Sequence, residues 1–325
     1  MPTTPATSTT TSTMSNLIQT SYDKFIEFNL RSEPMFRKFA DKRPVDVTNP
    51  GNTVVFQVYK DLSRATTALT QTQDPDAVTL NNTDKVNVVV DEYGNAVITT
   101  ERLALESLSA VDPAVADMLA FNMRDSLDSL VWSKLTSLAT MRYTGTTSAD
   151  ETTLNGENVS SSTTAPYISS ALARKAVAKL RGASVQPRDG GFYTALIHPD
   201  VSFDLRSEAA TSGNVSWQLP HTYTEAGVAN LWNGEIGIFD QVRYIETPRA
   251  EAISGSGTSK VYATVILGKQ ALVEAVSYEP KTVIGPVTDK LMRFRPAGWK
   301  GLLGWNVYRK EARYVIQTKS SIATA

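Results

Sequence analysis

His198 and His221 are the only imidazoles in this chain, and cysteine is absent. Without thiols there are no disulfides, no thiolate metal ligands and no cysteine nucleophile. The two histidines do not have the helical spacing of a metal pair, so a metal site at His198 ranks well behind a structural turn. His198-Pro199-Asp200 has the form of a strand-to-helix corner, with Asp200 expected to cap a helix starting at Val201. Asp74-Pro75-Asp76 lacks the remaining ligands of a calcium loop and fits a solvated loop tip better. Ser256, between Gly255 and Gly257, belongs to a turn. The chain carries no Gly-x-Ser-x-Gly elbow, no phosphate-binding loop and no dinucleotide fingerprint. With 33 acidic residues, composition gives no support to any particular catalytic carboxylate pair. The balance moves away from an enzyme, with no cofactor or metal expected, and toward a structural or binding protein. A hydrolase with an unrecognised acidic pair is a distant alternative.

The elements that would position these residues follow from composition and periodicity. An apolar share of 41% and a charged share of 20% suit a globular chain with a real core. The longest apolar run, Val261 to Leu267, is strand-sized and far short of a membrane span. The N-terminus lacks the basic start and apolar core of a secretory signal, so synthesis in the cytoplasm is the expectation. Residues 1–15 are Thr, Ser and Pro without charge, and an extended or disordered arm is expected. Leu17 to Arg43 is amphipathic and aromatic, with Tyr22, Phe25, Phe28, Phe36 and Phe39. These rings need a surface, either on another subunit or on the chain's own core.

The most regular stretch is Asp112 to Gly145. Asp112 is a good N-cap, Pro113 suits the first helical position, and Gly145 supplies a stop. Val115, Leu119, Met123, Leu127, Val131 and Leu135 form an apolar stripe, with Met118, Leu130, Leu138 and Met141 filling in. From Pro113 to Arg142 such a helix is about 45 Å long. Its four-residue apolar step winds the stripe round the axis, so the two halves should bury different faces. Val54–Tyr59, Val86–Val90 and Ala96–Thr100 predict strands, with a turn at Tyr93-Gly94-Asn95. Leu62 to Asp84 is polar and aperiodic, and predicts the end of a long hairpin arm. Beyond a polar linker at 146–164, Tyr167–Arg181 predicts a helix stopped by Gly182, Phe192–Ile197 a strand, and Val201–Glu208 a short helix. Ile236–Tyr244, Val261–Leu267, Val273–Tyr278, Leu291–Phe294 and Gly304–Gln317 predict strands, with a turn at Ser254-Gly255-Ser256-Gly257. Interleaving without a βαβ rhythm makes the class α+β.

Charge is segregated although the net is only −1. Asp61 to Ser160 holds 15 acidic and 6 basic residues, whereas Lys290 to Lys319 holds 8 basic residues and Glu311 alone. These regions either neutralise each other within one fold or dock head to tail between subunits. Nucleic acid is a weaker third partner for the basic end, because few free aromatics accompany it. The candidate contact residues are Lys60, Arg64, Asp74, Asp76 and Lys85 on the arm, and Arg293, Arg295, Lys300 and Arg309 at the basic end.

Tyr93-Gly94-Asn95-Ala96-Val97-Ile98-Thr99, His198-Pro199-Asp200-Val201 running to Asp204-Leu205-Arg206, Asn233-Gly234-Glu235-Ile236-Gly237 and Trp299-Lys300-Gly301-Leu302-Leu303-Gly304 occur in a distinctive order. In that order, over about Asp46 to Ser320, the chain resembles the major capsid proteins of tailed bacteriophages, which share the Hong Kong 97-type fold with encapsulin shells. The resemblance implies an N-terminal arm at 1–45, an extended loop at 46–100, and the spine helix with the first part of the peripheral domain at 101–165. It implies an axial domain at 166–272 and the rest of the peripheral domain at 273–325. The implied function is self-assembly into hexamers and pentamers of an icosahedral head enclosing double-stranded DNA, without sequence-specific DNA binding and without a membrane. The implied partners are a separate scaffolding protein, a portal and a decoration protein, with assembly in the bacterial cytoplasm and residence in the virion. Lys60 and Lys85 flank the loop without matching the cross-linking motif of some relatives, and no cross-link is expected. An encapsulin-type compartment, or a virion surface or tail binding module, is the alternative.

Overall fold

Alternating apolar residues become strands in this chain, and one longer apolar stripe becomes the helix between two sheets. The computed structural model describes residues 32–44, 53–59, 83–106, 111–137, 142–143, 167–188, 190–211, 234–254, 260–286 and 293–322, with the isolated residues 62, 64–66, 68, 69, 71, 72, 74, 289 and 291. The expected arm at 1–15, the rings of Tyr22, Phe25 and Phe28, the linker at 146–164, His221 and Gly255 to Gly257 lie outside the described residues.

A 3-10 turn at Phe36–Phe39 leads into β1 (Asp41–Pro44). β2 (Thr53–Tyr59) and β3 (Thr83–Val89) pair as a two-stranded antiparallel ribbon, from Thr53 opposite Val89 to Tyr59 opposite Thr83. Then come β4 (Asp91–Thr100), α1 (Glu101–Glu106), α2 (Val111–Leu135) and β5 (Arg142–Tyr143). α3 (Ser170–Gly182) starts under a side-chain cap, the Leu172 N–H donating to Ser169 Oγ. β6 (Tyr193–Ile197) is buried throughout and leads into α4 (Pro199–Thr211). β7 (Glu235–Phe239), β8 (Val242–Glu246), β9 (Ala252–Ser254), β10 (Val261–Leu267), β11 (Leu272–Ile284), β12 (Phe294–Val307) and β13 (Arg313–Thr318) complete the fold.

β1, β11, β12 and β4 form a four-stranded sheet in that order, with β1 parallel to β11 and the other pairs antiparallel. β5, β13, β10, β6, β8 and β7 form the larger sheet, with β9 attached to β10. α2 lies between the sheets. Leu119, Leu127, Val131 and Leu135 share one core with Leu272, Leu303 and Trp305 of the small sheet and with Leu196, Ile245 and Val265 of the large one. The other face of the large sheet packs on α3 and α4 through Ala176, Val177, Leu180, Val201 and Leu205. The winding stripe thus meets two different surfaces. Met118, expected in that stripe, is instead exposed.

Several boundaries differ from the sequence expectation. α2 ends at Leu135, giving 25 residues and about 37 Å, and Arg142 belongs to β5, parallel to Ile316–Gln317 of β13. The early stop comes from outside the helix. Arg313 donates to the carbonyls of Lys134 at 2.8 Å, Leu135 at 2.5 Å and Ser137 at 3.2 Å, which occupies the open helix end. Leu138, Met141 and Gly145 lie outside the described residues. α3 is terminated by Ser184 in the left-handed region, φ 56°, rather than by Gly182. Ile236–Tyr244 is a hairpin rather than one strand, because Asp240 and Gln241 both take positive φ and turn the chain. Gly304–Gln317 is likewise divided, by a 3-10 turn at Lys310–Ala312. Tyr93-Gly94-Asn95 forms no turn. It lies inside β4, where a Cβ on Gly94 would stand 2.6 Å from the Trp299 carbonyl oxygen, so this glycine marks a close strand approach.

Candidate assembly surfaces

The β2–β3 ribbon leaves the body from a well-built root. Val88 and Val90 bury against Val273 and Ala275, with Val54, Phe56, Leu302 and Tyr308 packed around them. Phe56 meets Tyr308 edge-on at 6.5 Å, and the Arg43 guanidinium lies over both rings at 5.3 and 4.6 Å. Asn306 Nδ2 donates to the Asn87 carbonyl at 2.7 Å. Gly304 makes the crossing possible, since a Cβ there would stand 2.0 Å from the Val89 carbonyl oxygen. Beyond the root the ribbon has no such support among the described residues. Val55, Val89 and Tyr59 are exposed on its outer face, Tyr59 at 73%, and Leu62 and Leu69 are exposed toward its end.

Of the predicted contact residues on the arm, Arg64, Asp74 and Lys85 are exposed, and Lys60 and Asp76 lie outside the described residues. The basic residues do not converge into one patch. Arg293 and Arg295 sit at the start of β12, Lys300 midway, and Arg309 beyond its other end, about 46 Å away along an extended strand. Around Arg293 and Arg295 the same end of the small sheet exposes Ile98, Ile284, Leu291 and Phe294. Arg293 Nε pairs with Asp289 at 2.7 Å. Lys300 is exposed and opposes Lys281 across β11–β12. Arg309 borders a polar cleft of about 350 Å³ with Lys269, Glu311, Gln186, Gln270 and Ser184.

The His198 corner is structural, with the roles redistributed. Asp200 does not cap the helix. The Asp200 N–H donates to His198 Nδ1 at 3.2 Å, and the His198 carbonyl accepts from Val201 and Ser202. The Asp200 carboxylate accepts from the Tyr262 hydroxyl at 2.7 Å, while the imidazole stacks on the Tyr262 ring at 4.5 Å. Burial holds the imidazole below its ordinary pKa, against the opposing fields of Asp200 and Glu246. No group of three or more His, Cys, Asp or Glu suited to a metal ion occurs among the described residues.

The most elaborate polar cluster joins the chain's beginning to both sheets. Asp128, on α2 and 1% exposed, accepts from the Phe36 N–H at 2.6 Å, the Arg37 N–H at 3.3 Å and Arg249 Nε at 2.8 Å. Arg249 also pairs with Asp125. Arg37 Nε pairs with Glu274 of β11 at 2.8 Å, and its Nη2 with Glu279 at 2.9 Å. Burial pushes the carboxyls of Asp128 and Glu274 up, against the pull of Arg249 and Arg37. Arg188, between α3 and β6, donates to the Phe39 carbonyl at 2.7 Å. Met35, Phe36 and Phe39 therefore dock on the chain's own core, the second of the two expectations for this aromatic segment. Sequence reasoning missed Asp128, Arg249 and Glu274. The available signal was an acidic residue beside Leu127 and Val131 in an otherwise apolar stripe.

Residues 7–313 match the sequence family described as phage capsid protein. No curated protein matches the chain. Among solved structures, the capsid of Ralstonia phage GP4 is similar with a TM-score of 0.69 at 13% identity, covering 98% of this chain and 100% of that one. The capsid of cyanophage Pam1 gives 0.66 at 14% identity, with 95% and 98% covered. The head of Helicobacter pylori bacteriophage KHP40 gives 0.64 at 13% identity, with 99% and 100% covered. The α+β architecture is of the Hong Kong 97 type shared by such capsids.

Proposed function

This chain belongs to the phage capsid protein family, and on that premise we propose how it builds the head. It is a structural protein of the virion, the major capsid protein that forms the phage head. The finer reading is a non-enzymatic shell of hexamers and pentamers with icosahedral symmetry, closed around double-stranded DNA that it does not read by sequence. A scaffolding protein, a portal and a decoration protein are the further partners, with assembly in the bacterial cytoplasm.

The observation that carries this reading is the β2–β3 ribbon. A two-stranded ribbon alone is marginal in water, and this one exposes Tyr59, Leu62 and Leu69 with no cover among the described residues. A neighbouring copy supplies the missing surface. The ribbon is then the working part of an extended loop at 46–100, and α2 the spine of a peripheral domain at 101–165 and 273–325. α3, α4 and strands β6 to β10 of the large sheet fall in an axial domain at 166–272, while β5 and β13 join that sheet from the peripheral ranges. Arg64, Asp74 and Lys85, with Lys60 and Asp76, contact the next subunit from the loop. Arg293 and Arg295 form one receiving contact, and Lys300 and Arg309 two separate ones.

Negative-stain microscopy of the purified chain, with scaffold supplied, tests the proposal. Wild type forms particles or capsomers, and Tyr59→Asp with Leu69→Asp yields folded subunits that do not close shells. Normal particles from that double variant overturn the ribbon's role.

A further inference from the structure

Three parts of the molecule grip one short segment. Met35, Phe36, Phe39 and Ala40 are buried in the main core, and Phe36 stacks on Trp132 of α2 at 4.7 Å. Asp41–Pro44 adds a parallel strand to β11. The polar contacts come from the same three directions. Asp128 of α2 takes the Phe36 and Arg37 N–H groups. Glu274 and Glu279 of β11 take the Arg37 guanidinium. From the loop before β6, Arg188 takes the carbonyls of Phe39 at 2.7 Å and Lys38 at 3.4 Å, and approaches Asp41 at 3.6 Å. From the loop after β8, Arg249 closes the ring by binding the second oxygen of Asp128.

The cations of this cluster are unevenly distributed. Glu274 is fully buried, with one oxygen on Arg37 and the other without a partner among the described residues. Glu279 is held by Arg37 and, at 3.6 Å, by Lys42. Among the described residues, both cations paired with these two carboxylates ride on the same short segment. If it leaves, β11 loses its edge partner, and Glu274 and Glu279 lose the ion pairs that the segment supplies. On the other side Asp128 loses two backbone donors, and Arg188 loses its carbonyl acceptors.

We propose that Met35–Pro44 is a removable key coupling the two sheets: seated, it fixes the loops carrying Arg188 and Arg249 against α2 and β11, and unseated, it loosens both sides together. The key is continuous with residues 1–31, so whatever holds or draws that N-terminal region acts on the geometry between the sheets. This inference does not depend on the assembly proposal, because it concerns one chain.

Hydrogen–deuterium exchange of the full-length subunit tests it. Arg37→Met removes the ion pairs to Glu274 and Glu279, leaves the β1–β11 pairing in place, and touches neither Arg188 nor Arg249. It is expected to speed exchange at 273–276 and also at 186–188 and 247–250, each by about fivefold or more, with β6 and β10 unchanged. Faster exchange confined to 41–43 and 273–276 overturns the coupling. If Arg37→Met does not fold, Arg188→Met decides in the reverse direction, since coupling between sites is reciprocal. Arg188 makes no bond to β11, yet its loss should accelerate exchange at 273–276 by a similar factor. Unchanged β11 amides in that variant refute the key.

Discussion

Gly304→Ala isolates the point where the ribbon crosses the small sheet. The added Cβ would stand 2.0 Å from the Val89 carbonyl oxygen, 2.9 Å from the Val89 carbonyl carbon and 3.1 Å from Val88 Cγ1. A close carbon–oxygen contact is about 3.3 Å, so roughly 1.3 Å of overlap must be relieved. Both the oxygen and the glycine belong to paired backbone, and neither can rotate away as a side-chain end would. β3 must lift, taking Val88 and Val90 off Val273 and Ala275. Overpacking of this kind costs about 1–3 kcal/mol, and a backbone clash belongs at the upper end. The paired ribbon extends about 20 Å beyond the crossing, so a small tilt at the root becomes a displacement of several ångströms where the β2–β3 pairing ends. Denaturant unfolding should show a lowered midpoint, and amide exchange should show faster exchange in 83–90 with β6 and β10 unchanged. Shell formation should fall further than the stability loss alone accounts for. Unaltered stability together with unaltered protection of β3 would falsify the close crossing.

Gly182→Ala is the matching control: a Cβ there meets nothing within 4 Å, and the helix end should gain about 0.5–1 kcal/mol in denaturant unfolding. Arg313→Met removes the donors that close α2, with an expected loss of about 3 kcal/mol and faster amide exchange at 133–137; protection equal to wild type would show that the helix end closes without it. His198 has a folded-state pKa below its ordinary value of about 6.5, so the unfolded chain binds the proton more readily as pH falls. Its contribution is complete above about pH 6.5 and is lost as pH falls toward the lower folded value. His198→Asn keeps a capping acceptor and should flatten that part of a stability profile measured from pH 5 to 8, and an unchanged slope would place the titration elsewhere.

The elements with strong local periodicity were legible in the sequence: the paired strands of the ribbon, the body of α2, α3, and the buried run Val261–Leu267, although Asp112, expected as the N-cap, lies inside a helix that begins at Val111. What escaped was set by distant partners. Nothing local ends α2 at Leu135, because Leu138 and Met141 continue the stripe, and the cap is a guanidinium 178 residues away. Tyr93-Gly94-Asn95 has turn composition, yet the missing Cβ serves the approach of Trp299. The basic residues from Arg293 to Arg309 looked like one patch because they are close in sequence, whereas an extended strand separates its ends. Hairpins inside apolar runs, such as the one at Asp240-Gln241, depend on positive φ at non-glycine residues, which composition signals weakly. The cluster at Asp128 needed three chain segments that only folding brings together.

α2 is held very differently at its two ends. Toward Leu135 it is buried between the sheets and plugged by Arg313, while nearer its start Ala114 and Val115 are half-buried and Ala116 to Met118 are exposed. Mechanically that is a beam held more firmly at one end than at the other. A load applied toward the less buried end bends such a member most strongly where it enters its mounting, near Asp128 and Trp132. Those two residues also seat Phe36, so force reaching the head of the helix would be concentrated where the N-terminal segment is gripped.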